Sequence, residues 1–284
     1  AVLWILMLVA FSILKNTVHN EDELRKILNA PCLGQIPSVK NTKKLPYPLI
    51  FKMKNSSGFS ESVRLLRMRL ENEMDAEGKK VLLVSSAIPG EGKTTISVNL
   101  AASLAQKGKH VLLMDCDLRN PSVAKTLSTK AHPLSSTTSL VEVLNGEVKV
   151  GDAIQATGLE RLRVITGGPG NKAENVALLS QDRMKLLVEA AREQYDYVIL
   201  DTPPCSMLAD ASELAELAEC GLLVIRQNYS SRDQIMDGVQ RLSDSNLPLI
   251  GCVLNNIRKG LSSGYGYGYG YGYGYGYGYG SEKK

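Results

Sequence analysis

The sequence lacks the cysteine and histidine patterns that build disulfide frames or zinc sites. It has only five cysteines, with no C-x-x-C pair and no histidine close to any of them. Scattered cysteines of this kind are typical of reduced, mostly buried thiols in a cytoplasmic domain. We therefore expect neither a disulfide scaffold nor a metal site at these positions, which are Cys32, Cys116, Cys205, Cys220 and Cys252.

A strong charge of one sign and a long hydrophobic run are also missing. The net charge of +4 is mild and predicts no nucleic-acid partner. The apolar run at residues 1–14 would extend about 21 Å as a helix, short of the roughly 30 Å hydrocarbon core of a bilayer. It lacks the basic leader and the cleavage site of a signal peptide. We expect this run to be the C-terminal part of a transmembrane helix; a short buried core helix is the alternative.

Residues 15–54 carry eight Lys and Arg side chains against three acidic ones. An excess of basic residues beside a membrane span places that side in the cytoplasm, so we expect a cytoplasmic domain at the inner or plasma membrane. A short capped helix is predicted from Asn20 to Leu28. The remainder, punctuated by Gly34, Pro37 and other prolines, is predicted to be a juxtamembrane linker with little regular structure.

The segment Ala87–Thr95 reads Ala-Ile-Pro-Gly-Glu-Gly-Lys-Thr-Thr and joins an apolar, strand-like run to a helical one. A glycine-bearing turn in this context aims several backbone N–H groups at one point, beside the positive end of the following helix. Lys93 would then reach the β- and γ-phosphates of a nucleotide, and Thr94 would ligate the bridging Mg²⁺. The usual pattern begins with glycine where this chain has Ala87, so a plain surface turn is the alternative. The predicted nucleotide contacts are Pro89, Gly90, Glu91, Gly92, Lys93, Thr94 and Thr95.

Strand-like apolar runs alternate with helical runs through the rest of the chain. This alternation predicts an α/β fold, with a mainly parallel sheet covered by helices on both faces and its ligand at the carboxyl ends of the strands. We place this domain at residues 55–260. The predicted strands are Val81–Val84, Val111–Met114, Leu162–Ile165, Tyr197–Leu200, Leu222–Ile225 and Leu249–Leu254. The predicted helices lie near Ile96–Gln106, Ser139–Leu144, Leu178–Glu193, Ala211–Ala218 and Asp233–Leu242.

Acidic residues stand where two of these strands end. Asp115 and Asp117 follow one apolar strand, and Asp201 follows another just before two prolines. A single such Asp is often only a helix cap. Three of them beside a phosphate loop predict a Mg²⁺–nucleotide site, in which a spare carboxylate can take a proton from an attacking hydroxyl.

The C-terminal segment 261–284 is dominated by a strict Gly-Tyr alternation, which predicts a disordered tether rather than a helix or a core element. Sticky low-complexity sequence that aggregates through its tyrosines is the alternative. The alternation holds eight of the twelve tyrosines of the chain: Tyr265, Tyr267, Tyr269, Tyr271, Tyr273, Tyr275, Tyr277 and Tyr279. A second surface feature is the helical stripe of Glu61, Arg64 and Arg67, which is either a solvated face or a surface that pairs with a neighbouring subunit.

With the phosphate loop, the Asp-Cys-Asp-Leu-Arg and Leu-Asp-Thr-Pro-Pro strand ends and the tyrosine cluster, the chain resembles the bacterial tyrosine autokinases (BY-kinases). The resemblance covers nearly everything from Val18 onward and includes Leu33–Pro37, similar to a segment these proteins carry after their second membrane helix. It implies a P-loop NTPase fold, ATP and Mg²⁺ as cofactors, and autophosphorylation of the tail tyrosines. It also implies a role in capsule or exopolysaccharide export beside a membrane co-polymerase, expected upstream in the same chain, and a cognate tyrosine phosphatase.

The same resemblance implies roles for individual residues. Lys93 and Thr94 would hold phosphate and magnesium, Asp117 and Asp201 would organise the metal, and Asp115 would accept the proton of the incoming phenol. Asn255 matches a position that contacts the adenine edge in related P-loop ATPases. The stripe Glu61, Arg64 and Arg67 corresponds to an E-x-x-R-x-x-R oligomerisation motif. It implies a ring, octameric by resemblance, in which the tail of one subunit enters the site of its neighbour.

Two other functions fit parts of the sequence. A partition or septum-placement ATPase shares the phosphate loop, but it carries a second lysine five residues before the loop lysine, where this chain has Ile88. A nucleotide-gated structural regulator of polysaccharide export would need the ATP site but no phosphoryl transfer to protein. Only the fate of the γ-phosphate distinguishes these alternatives from the kinase.

Overall fold

The computed structural model describes residues 16–40, 47–53, 57–169, 173–205 and 210–258, together with the isolated positions 2, 4 and 7. Most of the apolar segment 1–14 and all of the tyrosine-rich tail 261–284 therefore lie outside the described residues. Within the described ranges, every helix falls short of the length and apolar character that a membrane span requires.

Eight strands within the described ranges form one sheet, in the order β1-β8-β7-β2-β6-β3-β5-β4. All neighbouring strands run parallel except β4 and β5, which are antiparallel. The prediction of a mainly parallel sheet is confirmed. The strands are β1 Cys32–Pro37, β2 Val81–Ser86, β3 Val111–Asp115, β4 Gln155–Ala156, β5 Leu162–Ile165, β6 Tyr197–Asp201, β7 Cys220–Arg226 and β8 Leu249–Ile257.

Helices cover both faces of the sheet. Alternate side chains of β2 show this directly, since Val81 and Leu83 join one apolar core while Leu82 and Val84 join the other. A strand buried on both faces must be apolar throughout, which explains the continuous hydrophobic runs in the sequence. The helices are α1 Glu21–Leu28, α2 Gly58–Ala76, α3 Lys93–Gln106, α4 Val123–Leu127, α5 Leu140–Asn145, α6 Val150–Ala153, α7 Ala173–Val176, α8 Asp182–Gln194, α9 Asp210–Ala215 and α10 Arg232–Asp244, with one 3₁₀ turn at Ile50–Lys52.

The short capped helix predicted after the apolar segment is confirmed as α1. Its N-cap is Asn20, whose side chain accepts a hydrogen bond from the backbone N–H of Glu23 at 2.9 Å. Its buried residues Leu24 and Leu28 belong to one of the two apolar cores, together with Ile235 and Leu242 of α10. The segment that precedes the predicted domain therefore packs against it.

The prediction of little regular structure after α1 is wrong for Cys32–Pro37, which form the edge strand β1 beside β8. Leu33 and Ile36 are buried in the core on the α2 face. Gly34 allows this strand to lie tightly against α2, because a Cβ atom there would come within 3.0 Å of the Leu66 side chain. Pro37 ends the strand. A glycine inside and a proline at the end of a six-residue run hid the strand in the sequence.

The order of the sheet brings the three predicted functional segments together. β2, which leads into the phosphate loop, lies beside β6, and β6 lies beside β3. Asp115 at the end of β3 is the direct register partner of Asp201 at the end of β6. Because the three strands are parallel, their carboxyl ends meet at one edge of the sheet.

Candidate active site

The phosphate loop of residues 87–94 connects β2 to α3 through two glycines in the left-handed region. Gly90 has φ of 88° and Gly92, the N-cap of α3, has φ of 94°. A side chain at Gly92 would also collide with the side-chain amide of Asn255. The first N–H groups of a helix lack intrahelical acceptors and lie at its positive end, so this loop can bind an anion.

Lys93 begins α3 and lies among carboxylates. Its Nζ is 2.7 Å from Asp117 Oδ2 and 3.9 Å from Asp201 Oδ2, and the residue is only 8% exposed. Burial lowers the pKa of Lys93, but the attraction of Asp201 and Asp117 outweighs burial, so that the pKa is raised. Lys93 is therefore a buried cation held at the strand-end acids.

Asp201 is fully buried and bound by two hydroxyl groups of α3. Thr94 Oγ1 donates to its Oδ2 at 2.6 Å, and Ser97 Oγ donates to its Oδ1 at 2.8 Å. Burial raises the pKa of Asp201, although Lys93 and the two hydroxyl groups act in the opposite direction. The sequence reasoning missed Ser97. Its position three residues after Thr94, on the same side of the helix, was the available signal.

Asp115 is also fully buried, but only one of its carboxylate oxygens is satisfied. Oδ2 accepts the backbone N–H groups of Ser122 and Val123, each at 2.9 Å. Oδ1 has no hydrogen-bond partner in the part of the chain that the structure describes. Burial and then the charge of Asp201 raise the pKa of Asp115 to about 8. A buried carboxylate with a free oxygen can accept a proton, which is the role the sequence predicted.

Asp117 joins the turn after β3 to Lys93. Its Oδ1 accepts the backbone N–H of Asn120 at 3.1 Å, while Oδ2 faces the Lys93 ammonium. The turn therefore fixes the carboxylate beside the lysine. All four residues predicted to be catalytic, Lys93, Asp115, Asp117 and Asp201, lie in this one cluster.

Two adjoining cavities flank the phosphate loop. One has a volume of about 440 Å³ and is lined by Lys93, Thr94, Asp117 and Arg119 among others. The other, of about 280 Å³, is lined by Gly92, Thr95 and Asn255. The first is suited to phosphates and an acceptor group, and the second, at the predicted adenine contact, to the rest of a nucleotide.

Tyr47 lines both cavities and was not predicted as a site residue. Its segment is fastened to α3 by Asn99, whose side chain accepts the backbone N–H of Ile50 at 2.7 Å and donates to the carbonyl of Pro48 at 2.8 Å. No sequence pattern predicts this contact, because it joins residues about fifty positions apart.

A metal would have few carboxylate ligands here. Among the described residues, no group of three or more His, Cys, Asp or Glu side chains is arranged to hold a metal ion. The hard oxygens of Thr94, Asp117 and Asp201 nevertheless lie together at the loop. They suit a Mg²⁺ ion that takes its remaining ligands from phosphates and water.

The predicted oligomerisation residues make contacts within their own helix. Arg64 pairs with Glu61 at 2.5 Å, on the surface. Arg67 turns to Glu71 at 2.6 Å, and Glu71, which is buried, also binds Lys107 of the α3–β3 connection at 3.0 Å. The exposed apolar side chains of the same helix are Leu65 and Met68. The predicted phosphoacceptor tyrosines lie outside the described residues.

Comparison with known proteins finds a matching family model and relatives that are named tyrosine-protein kinases. A family model described as an AAA domain matches residues 79–246. The tyrosine-protein kinase YwqD of Bacillus subtilis is 38% identical over 208 residues, which are 72% of this chain and 84% of YwqD. The tyrosine-protein kinase etk of Escherichia coli K12 is 36% identical over 226 residues, covering 79% of this chain but only 30% of that longer protein.

The fold comparison agrees with the sequence relatives. The kinase domain of the Escherichia coli tyrosine kinase ETK matches with a TM-score of 0.73 and 30% identity, covering 85% of this chain and 96% of that domain. This chain thus corresponds in extent to a kinase domain and to a small part of a protein such as etk.

Proposed function

The chain belongs to the family of bacterial tyrosine-protein kinases, and we propose that it phosphorylates the tyrosines of its own tail to regulate capsular or exopolysaccharide export. The observation that carries the proposal is the strand-end cluster, in which a buried lysine, two hydroxyl groups and three carboxylates meet at a phosphate loop. The Gly-Tyr repeat supplies phenols as acceptors.

ATP would bind along the loop, with its phosphates at the N-terminus of α3 and its base beside Asn255. Lys93 would leave part of its contact with Asp117 to reach the β- and γ-phosphates. Thr94 and Asp201, whose oxygens are 2.6 Å apart, would bind Mg²⁺ directly or through water, with Asp117 beside them. When bound, Mg²⁺ would neutralise part of the negative charge of the phosphates.

The transfer step uses the tyrosine hydroxyl as the nucleophile. The phenol oxygen forms a bond to the γ-phosphorus while the bond from that phosphorus to the β–γ bridging oxygen breaks, which releases ADP. The phenol proton would pass to the ionised form of Asp115, whose Oδ1 has no hydrogen-bond partner among the described residues. The products are ADP and phosphotyrosine.

The tail leaves the domain close to this site. β8 runs parallel to β7 and ends at Ile257, two residues after Asn255. A tail of roughly 20 residues can extend about 70 Å, so it can reach a neighbouring site. We propose that transfer occurs in trans within a ring, which the exposed Leu65 and Met68 of α2 support as a subunit contact. An octamer, a membrane co-polymerase upstream and a cognate phosphatase remain expectations from the family.

The chain also enters the domain at this edge of the sheet. Thr17 forms a bridge with Ser231, the last residue of the connection that leads from the carboxyl end of β7 to α10. A membrane anchor preceding residue 16 would therefore hold the nucleotide edge near the cytoplasmic surface of the inner or plasma membrane.

Radiolabelled ATP with Mg²⁺, followed by phosphoamino-acid analysis, tests the reaction. We expect labelled phosphotyrosine in the wild-type protein, and none in a variant whose eight repeat tyrosines are changed to phenylalanine. Release of free phosphate with unlabelled protein would instead support a partition-type ATPase. ATP binding without either product would support a nucleotide-gated regulator.

A further inference from the structure

Glu91 occupies the middle of the phosphate loop, between the two left-handed glycines, and its side chain is turned into the protein. The residue is 0% exposed. The sequence placed it among the nucleotide contacts, yet its carboxylate is occupied by protein groups. A charged side chain buried at this position has a cost that calls for a functional reason.

Hydrogen-bond donors from the start of the loop, from the end of β7 and from the β7–α10 connection hold the Glu91 carboxylate. Oε1 accepts the backbone N–H of Arg226 at 3.1 Å and the hydroxyl of Ser230 at 2.6 Å. Oε2 reaches back along the loop to the N–H of Ile88 at 2.9 Å. One side chain thus joins the start of the loop to the connection between β7 and α10.

The backbone carbonyls of the loop are held from the same side. Asn255 Nδ2 donates to the Glu91 carbonyl at 2.8 Å, and Arg226 Nη1 donates to the Gly90 carbonyl at 3.2 Å. Since carbonyl and N–H groups of neighbouring peptides point in different directions, fixing these carbonyls directs the N–H groups toward the phosphate position. Two glycines make the loop intrinsically flexible, so this direction needs an anchor.

Burial raises the pKa of the Glu91 carboxyl, and the hydrogen bonds from Ser230, Ile88 and Arg226 offset only part of that effect. The hydrogen bonds to Glu91 therefore compensate only part of the cost of burying its carboxylate.

We propose that Glu91 is a positioning residue for ATP, because it anchors the crown of the phosphate loop to the β7–α10 connection through Ser230 and the Arg226 backbone. The inference rests on the proposed function in one respect, namely that ATP is the ligand of the loop. Glu91 itself touches no reacting atom in this account.

Glu91→Gln is the informative substitution, because it keeps the size of the side chain but turns an amide N–H₂ group toward hydrogen-bond donors. We expect the KM for ATP to rise about tenfold or more, equivalent to about 1.4 kcal/mol. We expect kcat at saturating ATP to stay within about twofold, since the interaction serves ground state and transition state alike. Ser230→Ala, which removes one donor, should raise KM by about two- to threefold, and the double variant should be less than additive.

Glu219 offers a matched control. Its Oε2 accepts the backbone N–H groups of Lys80 and Val81 at 2.6 and 2.9 Å, and its Oε1 accepts Arg192 Nε at 2.7 Å. These contacts fasten the opposite end of β2, far from the loop. Glu219→Gln should lower the melting temperature and leave the KM for ATP unchanged.

The experiment measures the MgATP dissociation constant by calorimetry, KM and kcat from tail labelling, and the melting temperature without nucleotide. Weaker ATP binding in Glu91→Gln and Ser230→Ala, but not in Glu219→Gln, supports the inference. Two results overturn the inference. One is unchanged ATP binding in both Glu91→Gln and Ser230→Ala. The other is ATP binding in Glu219→Gln that is weakened as much as in those two variants, at a melting temperature similar to theirs. If Glu91→Gln does not fold, Ser230→Ala decides alone. A wild-type protein that binds ATP without labelling its tail would refute the kinase proposal while leaving this test intact.

Discussion

Burying Asp115 lowers the stability of the folded protein when its carboxyl group is ionised, and the same carboxyl group is the proposed proton acceptor. Its charge is fully buried, one oxygen lacks a partner within the described chain, and its pKa is raised to about 8. In the unfolded chain an Asp has a pKa of about 3.9. The folded state therefore binds this proton more tightly, and the stability that results is complete below about pH 4 and is lost as the pH rises through about 8.

Asp115→Asn should remove the destabilisation that an ionised Asp115 causes at high pH in the ligand-free protein. The Asn carbonyl can keep the bonds from Ser122 and Val123, and the residue stays neutral at every pH. We expect the variant to melt on the order of 5 °C above the wild type at pH 8.5, and the gap to shrink toward pH 5. Its tail labelling should fall by about 10² to 10⁴.

Thermal melts in EDTA across this pH range would measure the effect. Asp237→Asn is the control, because Asp237 is half-exposed and its ion pair is with Arg241 along α10. The difference between its melting temperature and that of the wild type should show no comparable trend between pH 5 and 8.5. A lower melting temperature for Asp115→Asn at pH 8.5 would contradict the burial argument.

Removing the loop lysine gives a second residue-scale prediction. Lys93→Met should abolish tail labelling in the isolated protein, because Lys93 is the cation that begins α3 beside Asp117 and Asp201, where the β- and γ-phosphates would bind. A labelling assay with purified protein measures it, and Lys107→Met, a surface lysine paired with Glu71, is the control. Normal labelling in Lys93→Met would contradict the assigned role.

The positions of the site residues were predictable where chemistry follows directly from strand ends. Asp115 and Asp201 each come after an apolar run, and parallel strands bring such residues to one edge. Ser97 could have been found from its spacing after Thr94 on one helix face. Tyr47 and the inward turn of Glu91 were not predictable, because each depends on which distant segment packs beside the loop. Glu91 needs Ser230, which is 139 positions away.

At the scale of elements, the buried carboxylate of Glu71 joins α2, which carries the predicted oligomerisation stripe, to the end of α3, the helix that begins at the phosphate loop. Glu71 of α2 binds both Arg67 and Lys107, the residue that directly follows α3. The sequence pattern of Glu61, Arg64 and Arg67 suggested one exposed face. The structure divides it, since Glu71 draws Arg67 against its own subunit while Glu61 and Arg64 remain at the surface.

Glu71→Gln should therefore destabilise the domain by about 1–3 kcal/mol, because two cations lose their shared partner in a buried position. Glu61→Gln removes a surface pair and should cost about 0–1 kcal/mol. Urea unfolding of both variants measures the difference. Equal losses would show that the buried network contributes no more than the exposed pair.

The strand β1 shows where sequence patterns fail at this scale. Cys32–Pro37 contains glycine and ends in proline, so neither periodicity nor composition predicts a strand. Pairing with β8 and packing against Leu66 of α2 make it one. The central strands were predictable because burial on both faces requires unbroken apolar runs.

At the scale of the whole molecule, both ends of the described domain lie near the nucleotide edge, so in the proposed ring a tail charged by phosphorylation would act close to the site that it enters. Each phosphotyrosine adds about −1.5 to −2 at pH 7, against a net charge of +4 for the unmodified chain. We expect ring assemblies to dissociate after incubation with ATP and Mg²⁺. Light scattering before and after incubation measures this, and an unchanged mass with a fully labelled tail would contradict it.

A mixing experiment shows whether the active site of one subunit phosphorylates the tail of another. Lys93→Met protein with an intact tail is incubated with an active partner truncated before residue 261, together with radiolabelled ATP and Mg²⁺. Phosphotyrosine should appear on the tail of the Lys93→Met protein, since the partner supplies the site and the variant supplies the phenols. An unlabelled tail, with free phosphate released by the active partner, would contradict the account.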